Sequence, residues 1–151
     1  MISLVFGEDE KIAKWVSDKI GGCDFTPCRA IGIVRDGKPL AGIVYSNFIE
    51  HQGKPISLEM SVAAESREWL NKRILFAVFA YPFLQVGVPR IQSTMAADNV
   101  HAIDFNKRLG FTHEGFGRRA YFDGRDCVVT SMLREECIWI RKEISLGKIR
   151  A

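Results

Sequence analysis

The chain has 151 residues, 47% of them hydrophobic and 26% charged, the balance of an ordinary globule with one core. That length fits a single domain over 1–151. No apolar run is long enough to span a bilayer, and the start MISLVFGEDE lacks a basic n-region and a long apolar stretch, so no membrane partner and no secretory signal are expected, and the expected location is the cytoplasm.

Charge excludes another class. All of the net charge of +3 falls in the tail 141–151, where Arg141, Lys142, Lys148 and Arg150 face only Glu143. The remainder is neutral, without the broad basic field of a nucleic-acid binder, so nucleic acid is not the expected partner. Cys23, Cys28, Cys127 and Cys137 form no CxxC pair, and His51, His101 and His113 are scattered. No metal site is expected from such spacing, and the thiols read as reduced.

Residues 1–6 hold a short apolar run closed by Gly7, which predicts a first strand. Over 8–20, Ile12, Ala13, Trp15, Val16 and Ile20 recur at helical spacing, with acids at the start and Gly21-Gly22 at the end, which predicts an amphipathic helix. A loop follows over 23–27. Strands are predicted over 29–35 and 40–49, joined by Asp36-Gly37, two residues that tolerate positive φ and favour a hairpin turn. A polar turn over 51–54 leads to a strand over 55–64 that alternates around Ile56, Leu58 and Met60.

The stretch 66–83 organises the rest. It starts polar and turns almost wholly apolar from Ile74, the pattern of a helix whose far end is buried on several sides. Ser66 suits the N-cap, Glu68 the first turn, and Pro82 bends the exit. With Arg67, Lys72 and Arg73 beside it, this N-terminus is suited to hold a phosphate. A strand over 86–96, opened by Gly87-Val88-Pro89, completes a strand–helix–strand unit, which favours a parallel pair with a right-handed crossover. A second helix runs from a cap at Asp98 or Asn99 to about Leu109 and closes on Gly110 and Phe111. Strands over 111–122, with a glycine break at 115–117, and over 127–133 flank the turn Asp123-Gly124. Cys137, Ile138, Ile140 and Ile144 mark a candidate terminal helix over 134–144.

This order, β–α–β–β–β–α–β–α–β–β, resembles the GNAT superfamily of N-acetyltransferases over nearly the whole chain. The most specific match is the pattern N-x-x-[AS]-x-x-[FL]-x-x-[KR]-L-G-F, met by Asn99, Ala102, Phe105, Arg108, Leu109, Gly110 and Phe111. Tyr81-Pro82-Phe83 followed by Val86-Gly87-Val88-Pro89-Arg90 is similar to a segment of the ribosomal-protein-acetylating branch. Glu114, Gly115 and Arg118, then Asp126, echo a downstream E-G-x-x-R. The resemblance implies an α/β (α+β) fold. Its mixed, mostly antiparallel central sheet would have about six to seven strands, splayed between the fourth and fifth, with helices on both faces. It also implies acetyl-CoA (coenzyme A) as cofactor and transfer of an acetyl group by direct attack of a primary amine. The acceptor would be a small-molecule or peptide amine, and relatives are commonly homodimers.

The same resemblance puts the coenzyme's pyrophosphate on a loop before the central helix, here Ser66, Arg67, Glu68, Trp69, Leu70 and Asn71. Trp69 and Asn71 stand where the family has glycines; Glu65 and Glu68 oppose an anion, and Arg67 and Lys72 offset them. The pantetheine arm is expected along the backbone of Met60, Ser61, Val62 and Ala63, where the sheet splays. Asn99 is expected at the coenzyme or as the helix cap, and Phe105 at the thiol end or in the core. The attacking amine must be neutral, which calls for a base. Glu59 is the candidate, on the strand face opposite Leu58 and Met60, facing either the cleft or solvent. Where relatives carry a tyrosine acid this chain has Asn106, leaving Tyr121, Ser131 or unaided departure of the thiolate. Two other readings stand beside this one. A GNAT-fold module that binds coenzyme or a protein without catalysis is suggested by the filled glycine positions, and a phage-type nucleobase acyltransferase by the basic tail alone. Acceptor pockets in this fold come from variable loops, here 23–27, 51–54 and the hairpin around Asp123.

Overall fold

Alternation along the central strands leaves both faces of one sheet apolar, and helices cover both. In the computed structural model, which describes residues 1–141, the elements are β1 (Ile2–Val5), α1 (Asp9–Ile20), β2 (Cys28–Arg35), β3 (Lys38–His51), β4 (Lys54–Ala64), α2 (Lys72–Ala80), β5 (Arg90–Ala96), α3 (Val100–Leu109), β6 (Thr112–Gly117) and β7 (Cys127–Leu133). The seven strands lie in the order β1-β2-β3-β4-β5-β7-β6. Every neighbouring pair is antiparallel except β4 with β5, which is parallel. Ile31, Ile33, Ile43, Tyr45, Leu58 and Met60 form the larger core with Ile74, Val78 and Phe79 of α2 and Leu109 of α3. Ala30, Val44 and Ala63 form a second core with Ile12 and Val16 of α1. The mixed, mostly antiparallel sheet with helices on both faces is the expected fold. Among the described residues no helix is long and apolar enough to cross a membrane.

α1 lies close to the sheet because Gly32 and Gly42 face each other across β2 and β3. A Cβ at Gly42 would stand 2.6 Å from Val16 Cγ2, closer than packed carbons approach. Gly42→Ala is therefore expected to lower stability by about 1–3 kcal/mol through overpacking. The readout is a lower denaturant midpoint at unchanged slope; an unchanged midpoint would show that α1 shifts without cost. The Asp36-Gly37 turn forms as expected, with φ of 51° and 81°, the left-handed pair that matches strand twist.

Several boundaries differ from the sequence expectation. The central helix begins at Lys72, not Ser66. Asn71 has φ −146° and ψ 164°, and its side chain accepts from the Ile74 N–H at 2.9 Å, so it is the N-cap. Ser66 Oγ accepts only from Glu68 N within a local turn, at 3.3 Å. At the far end the chain widens into a π-helical segment, Tyr81–Val86, closed by Gly87. Pro82 has no N–H to give, but its carbonyl accepts from Gly87 N at 3.0 Å and Val88 N at 3.1 Å. The following strand starts at Arg90 instead of 86, because Pro89 cannot join a ladder and the Gly87 and Val88 carbonyls bind the Arg134 guanidinium. β6 ends at Gly117, where Arg119 turns to φ 54° and its N–H binds the Asp126 carboxylate at 2.9 Å. Of the predicted terminal helix, Arg134–Glu136 form a 3-10 turn; its part from Lys142 on, with the basic residues there, lies outside the described residues. Cys137 and Ile140 are buried in the larger core, Trp139 donates its indole N–H to the Leu109 carbonyl, and Ile138 is exposed.

Candidate active site

β4 and β5 pair only at Ser57 with Arg90, Leu58 with Ile91 and Glu59 with Gln92. Beyond that point β4 stays with β3 through Met60 to Ala64, while β5 stays with β7 through Ser93 to Ala96. Each strand follows its antiparallel partner as the sheet twists, so the parallel pair opens into a fork. A cavity of about 520 Å³ fills it. It is reached from one face by the loop after α1, at Cys23 to Thr26, and from the other by Asn99, Phe105 and Asn106 of α3; Tyr121 and Phe122 close one side. Two of the three loops expected to build an acceptor pocket are here, and the 51–54 turn is not among the lining residues. A larger hollow of about 720 Å³ lies between the start of α1 and the end of α2, around the Asp9–Arg29 pair. It holds no residue of the β4–β5 fork and lies apart from Glu59.

Glu59 sits at the crotch of the fork. Its apolar neighbours Leu58 and Met60 point into the larger core, and Glu59 and Ser61 line the cavity instead, so the alternation resolves to the cleft. Gln92 Nε2 donates to one carboxylate oxygen at 3.0 Å and Asn47 Nδ2 to the other at 2.9 Å. Asn47 reaches it because β3 breaks register between Ser46 and Ile49 and Asn47 takes φ 50°. Sequence reasoning did not single out Gln92 or Asn47. A polar residue on the one parallel strand pair was the available signal for Gln92; a bulge leaves almost none for Asn47.

Of the residues expected at a coenzyme, Ser61, Val62, Asn99 and Phe105 line the cavity, while Met60, Ala63, Ser66, Arg67, Leu70, Asn71 and Lys72 do not. The side chains of Met60 and Ala63 are buried in the two cores, while Ser61 and Val62 reach the cavity; the β4 backbone here has no ladder partner on the β5 side. Arg67 lays its guanidinium over the Phe105 ring, 5.5 Å from the centroid, and Phe105 lines the cavity. Lys72 is exposed at the first turn of α2, and Leu70 packs against the larger core. Asn99 caps α3, accepting from Ala102 N at 3.2 Å, and lines the cavity as well. The two opposing acids are engaged: Glu65 pairs with Lys19 and Glu68 with Arg35. Trp69 is 1% exposed, 6.2 Å from Phe105 between ring centroids, and belongs to the larger core. It is tucked under the loop, and its Nε1 is a buried donor with no acceptor. Such a donor costs about 1–3 kcal/mol when left unmade. Asn71 caps only the third helical N–H, leaving those of Lys72 and Arg73 without an intrahelical acceptor. An open strand edge and free helix N–H groups fit a group rich in acceptor oxygens, as coenzyme A is.

On the far side Asn106 is buried and donates to Thr130 Oγ1 at 3.2 Å, which in turn donates to the Ser93 carbonyl at 2.7 Å. Of the two candidate proton donors, Tyr121 lines the cavity, with its phenol pushed up by burial. Ser131 instead donates to Glu114 Oε2 at 2.8 Å and does not line the cavity. Arg90 and Glu114, both from the family-like segments, form a two-pronged ion pair at 2.8 and 2.7 Å that reaches across β7. The Arg90 guanidinium, then the Ser131 hydroxyl, hold the Glu114 carboxyl down from 4.5 to about 2. A depressed folded value stabilises above the unfolded pKa, so this contribution is lost as pH falls from about 4.5 towards 2. Glu114 is 43% exposed, and solvent screening keeps the effect to about 1 kcal/mol or less. Glu114→Gln is expected to flatten the fall of the denaturant midpoint over that range; parallel curves for the two proteins would contradict it.

A mixed sheet forked between its parallel strands, with a helix N-terminus behind the opening, is the architecture of GNAT-fold transferases. The sequence profile of the acetyltransferase (GNAT) domain matches residues 8–127, and the chain belongs to that family of acetyltransferase enzymes. No curated protein matches the chain by sequence. Among solved structures, an acetyltransferase of the GNAT family from Streptococcus pneumoniae superposes with a TM-score of 0.64 at 14% identity, covering 88% of this chain and 99% of that one. A variant of spermidine N-acetyltransferase SpeG from Vibrio cholerae gives 0.69 at 13% identity, covering 94% and 98%. Mycobacterium smegmatis RimJ in complex with CoA-disulfide gives 0.64 at 17% identity, covering 97% and 89%. At these identities the likeness is one of fold.

Proposed function

We propose that the protein is an acetyl-CoA-dependent N-acetyltransferase that acts on a primary amine by direct attack. The observation that carries this reading is Glu59, a half-buried carboxylate at the crotch of the fork, lining a cavity reached from both faces of the sheet. Bound acetyl-CoA supplies the acetyl group as an activated thioester. Ser66, Arg67, Leu70, Asn71, Lys72 and the α2 N-terminus would hold its phosphates and the backbone of Met60, Ser61, Val62 and Ala63 its arm, with Asn99 beside the coenzyme and Phe105 against the thiol end. An amine entering beside the loop after α1 meets Glu59, which takes its proton and leaves the nitrogen lone pair free. Gln92 and Asn47 fix the carboxylate so that little reorganisation is needed at that moment. Of the two candidate donors for a leaving thiolate, Tyr121 is the one that lines the cavity, since Ser131 is engaged by Glu114 and Asn106 stands at the family's tyrosine position.

The segment 81–90, whose Arg90 pairs with Glu114, is the feature that resembles the ribosomal-protein-acetylating branch. The test is amine-dependent release of coenzyme A from acetyl-CoA, followed by chromatography so that the chain's own thiols do not interfere. Release that requires both protein and amine is expected; coenzyme binding with no release across amines and peptides would leave a binding module instead.

A further inference from the structure

Building on the acetyl-transfer reading, we infer that the acceptor is an alkyl diamine carrying two positive charges and no acidic group. The fork cavity offers two separate carboxylates, Asp24 and Glu59, on different elements, with Phe25 and Tyr121 along its wall, and among the described residues no lysine, arginine or histidine lines it.

The two carboxylates have different tasks. Asp24, in the loop after α1, accepts from the Thr26 N–H at 2.9 Å and the Thr26 hydroxyl at 2.8 Å. Those bonds hold its carboxyl below the usual carboxylate range, so it is a standing negative charge at neutral pH. Glu59 is at the reacting end, held by two neutral amides. Both carboxylates line the same cavity as Cys23, whose thiol is pushed up by burial and then by Asp24 and Glu59. A monoamine would engage one carboxylate and leave the other without a counter-charge. A diamine places one ammonium at each, with its methylenes against the rings of Phe25 and Tyr121. The ammonium at Glu59 gives up one proton to that carboxylate; the neutral nitrogen bonds to the acetyl carbon as the carbon–sulfur bond breaks, Tyr121 protonates the departing thiolate so that coenzyme A leaves as the thiol, and the nitrogen's second proton restores the Tyr121 hydroxyl. The second ammonium stays charged at Asp24. An acceptor with its own carboxylate or phosphate would meet two carboxylates and no lining cation; Arg67 and Arg125 stack on the Phe105 and Tyr121 rings without lining the cavity themselves, and Arg125 is already paired with Asp98 and Asp123.

Putrescine, butylamine and γ-aminobutyrate share one carbon chain and differ in the charge at its far end. With acetyl-CoA in excess, kcat/KM is expected to fall in that order, by about fivefold or more at each step. Asp24→Asn is expected to bring the putrescine-to-butylamine ratio near one. Equal rates for these two amines, a preference for γ-aminobutyrate, or a ratio insensitive to Asp24→Asn overturns the inference. Titrating the same three compounds calorimetrically in the presence of coenzyme A separates the two claims. Putrescine binding weakened by Asp24→Asn, without turnover, keeps the acceptor class and removes the transfer reading; no putrescine binding removes the acceptor class.

Discussion

Glu59→Gln lowers kcat for amine acetylation by about 10²–10³-fold, with KM for acetyl-CoA within about twofold of the parent. The glutamine has the same size and stays at the crotch, but it cannot take a proton. Its amide also offers one oxygen where the carboxylate offered two, so either Asn47 or Gln92 loses its acceptor. Without the base, only amine already neutral in solution reacts. The deficit therefore shrinks as pH rises towards the amine's own pKa, about 10 for an alkylamine. Rates of parent and variant measured from neutral to alkaline pH check both parts. An unchanged kcat, or a deficit that is constant with pH, would mean that the proton goes elsewhere.

Trp69→Gly brings the loop closer to the family's glycine pattern, yet it is expected to destabilise the protein by about 3–5 kcal/mol. The indole is 1% exposed and packs with Phe105 and the larger core, so its removal leaves a cavity under the loop that holds Arg67 over the same ring. That is a large part of the roughly 5–15 kcal/mol that keeps a domain folded. Acetyl-CoA binding is expected to weaken with it, because the loop loses its seat. A denaturant midpoint equal to that of the parent, with tighter acetyl-CoA binding, would show instead that the indole obstructs the site.

How much of this was legible depended on how local the cause was. The alternation of Leu58 and Met60 against Glu59 and Ser61 gave the strand and its faces, because it needs only a period of two. Asp36-Gly37 and Gly110 gave turn and helix end from their backbone preferences. The start of α2 was not legible: Ser66 and Asn71 are both good caps, and the burial of Trp69 between them, a tertiary event, decided for Asn71. The pairing of the site's charges was not legible for the same reason: Glu65 and Glu68 pair with Lys19 and Arg35, which are distant in sequence. Asn47 depends on a break in strand register and Gln92 on the pairing of β4 with β5, and neither can be read one residue at a time. Arg90 and Glu114 were visible as separate echoes of one family; only the fold made them partners.

The central claim is that the fork between β4 and β5, with the α2 N-terminus behind it, receives acetyl-CoA while Glu59 faces the acetyl end. Isothermal titration of the full chain with acetyl-CoA tests it most directly. Saturable one-to-one binding with a dissociation constant in the range of about 1 µM to 1 mM is expected, weakened in Arg67→Glu and retained in Glu59→Gln. No binding heat up to about 1 mM coenzyme, or equal affinity in Arg67→Glu and the parent, would contradict it.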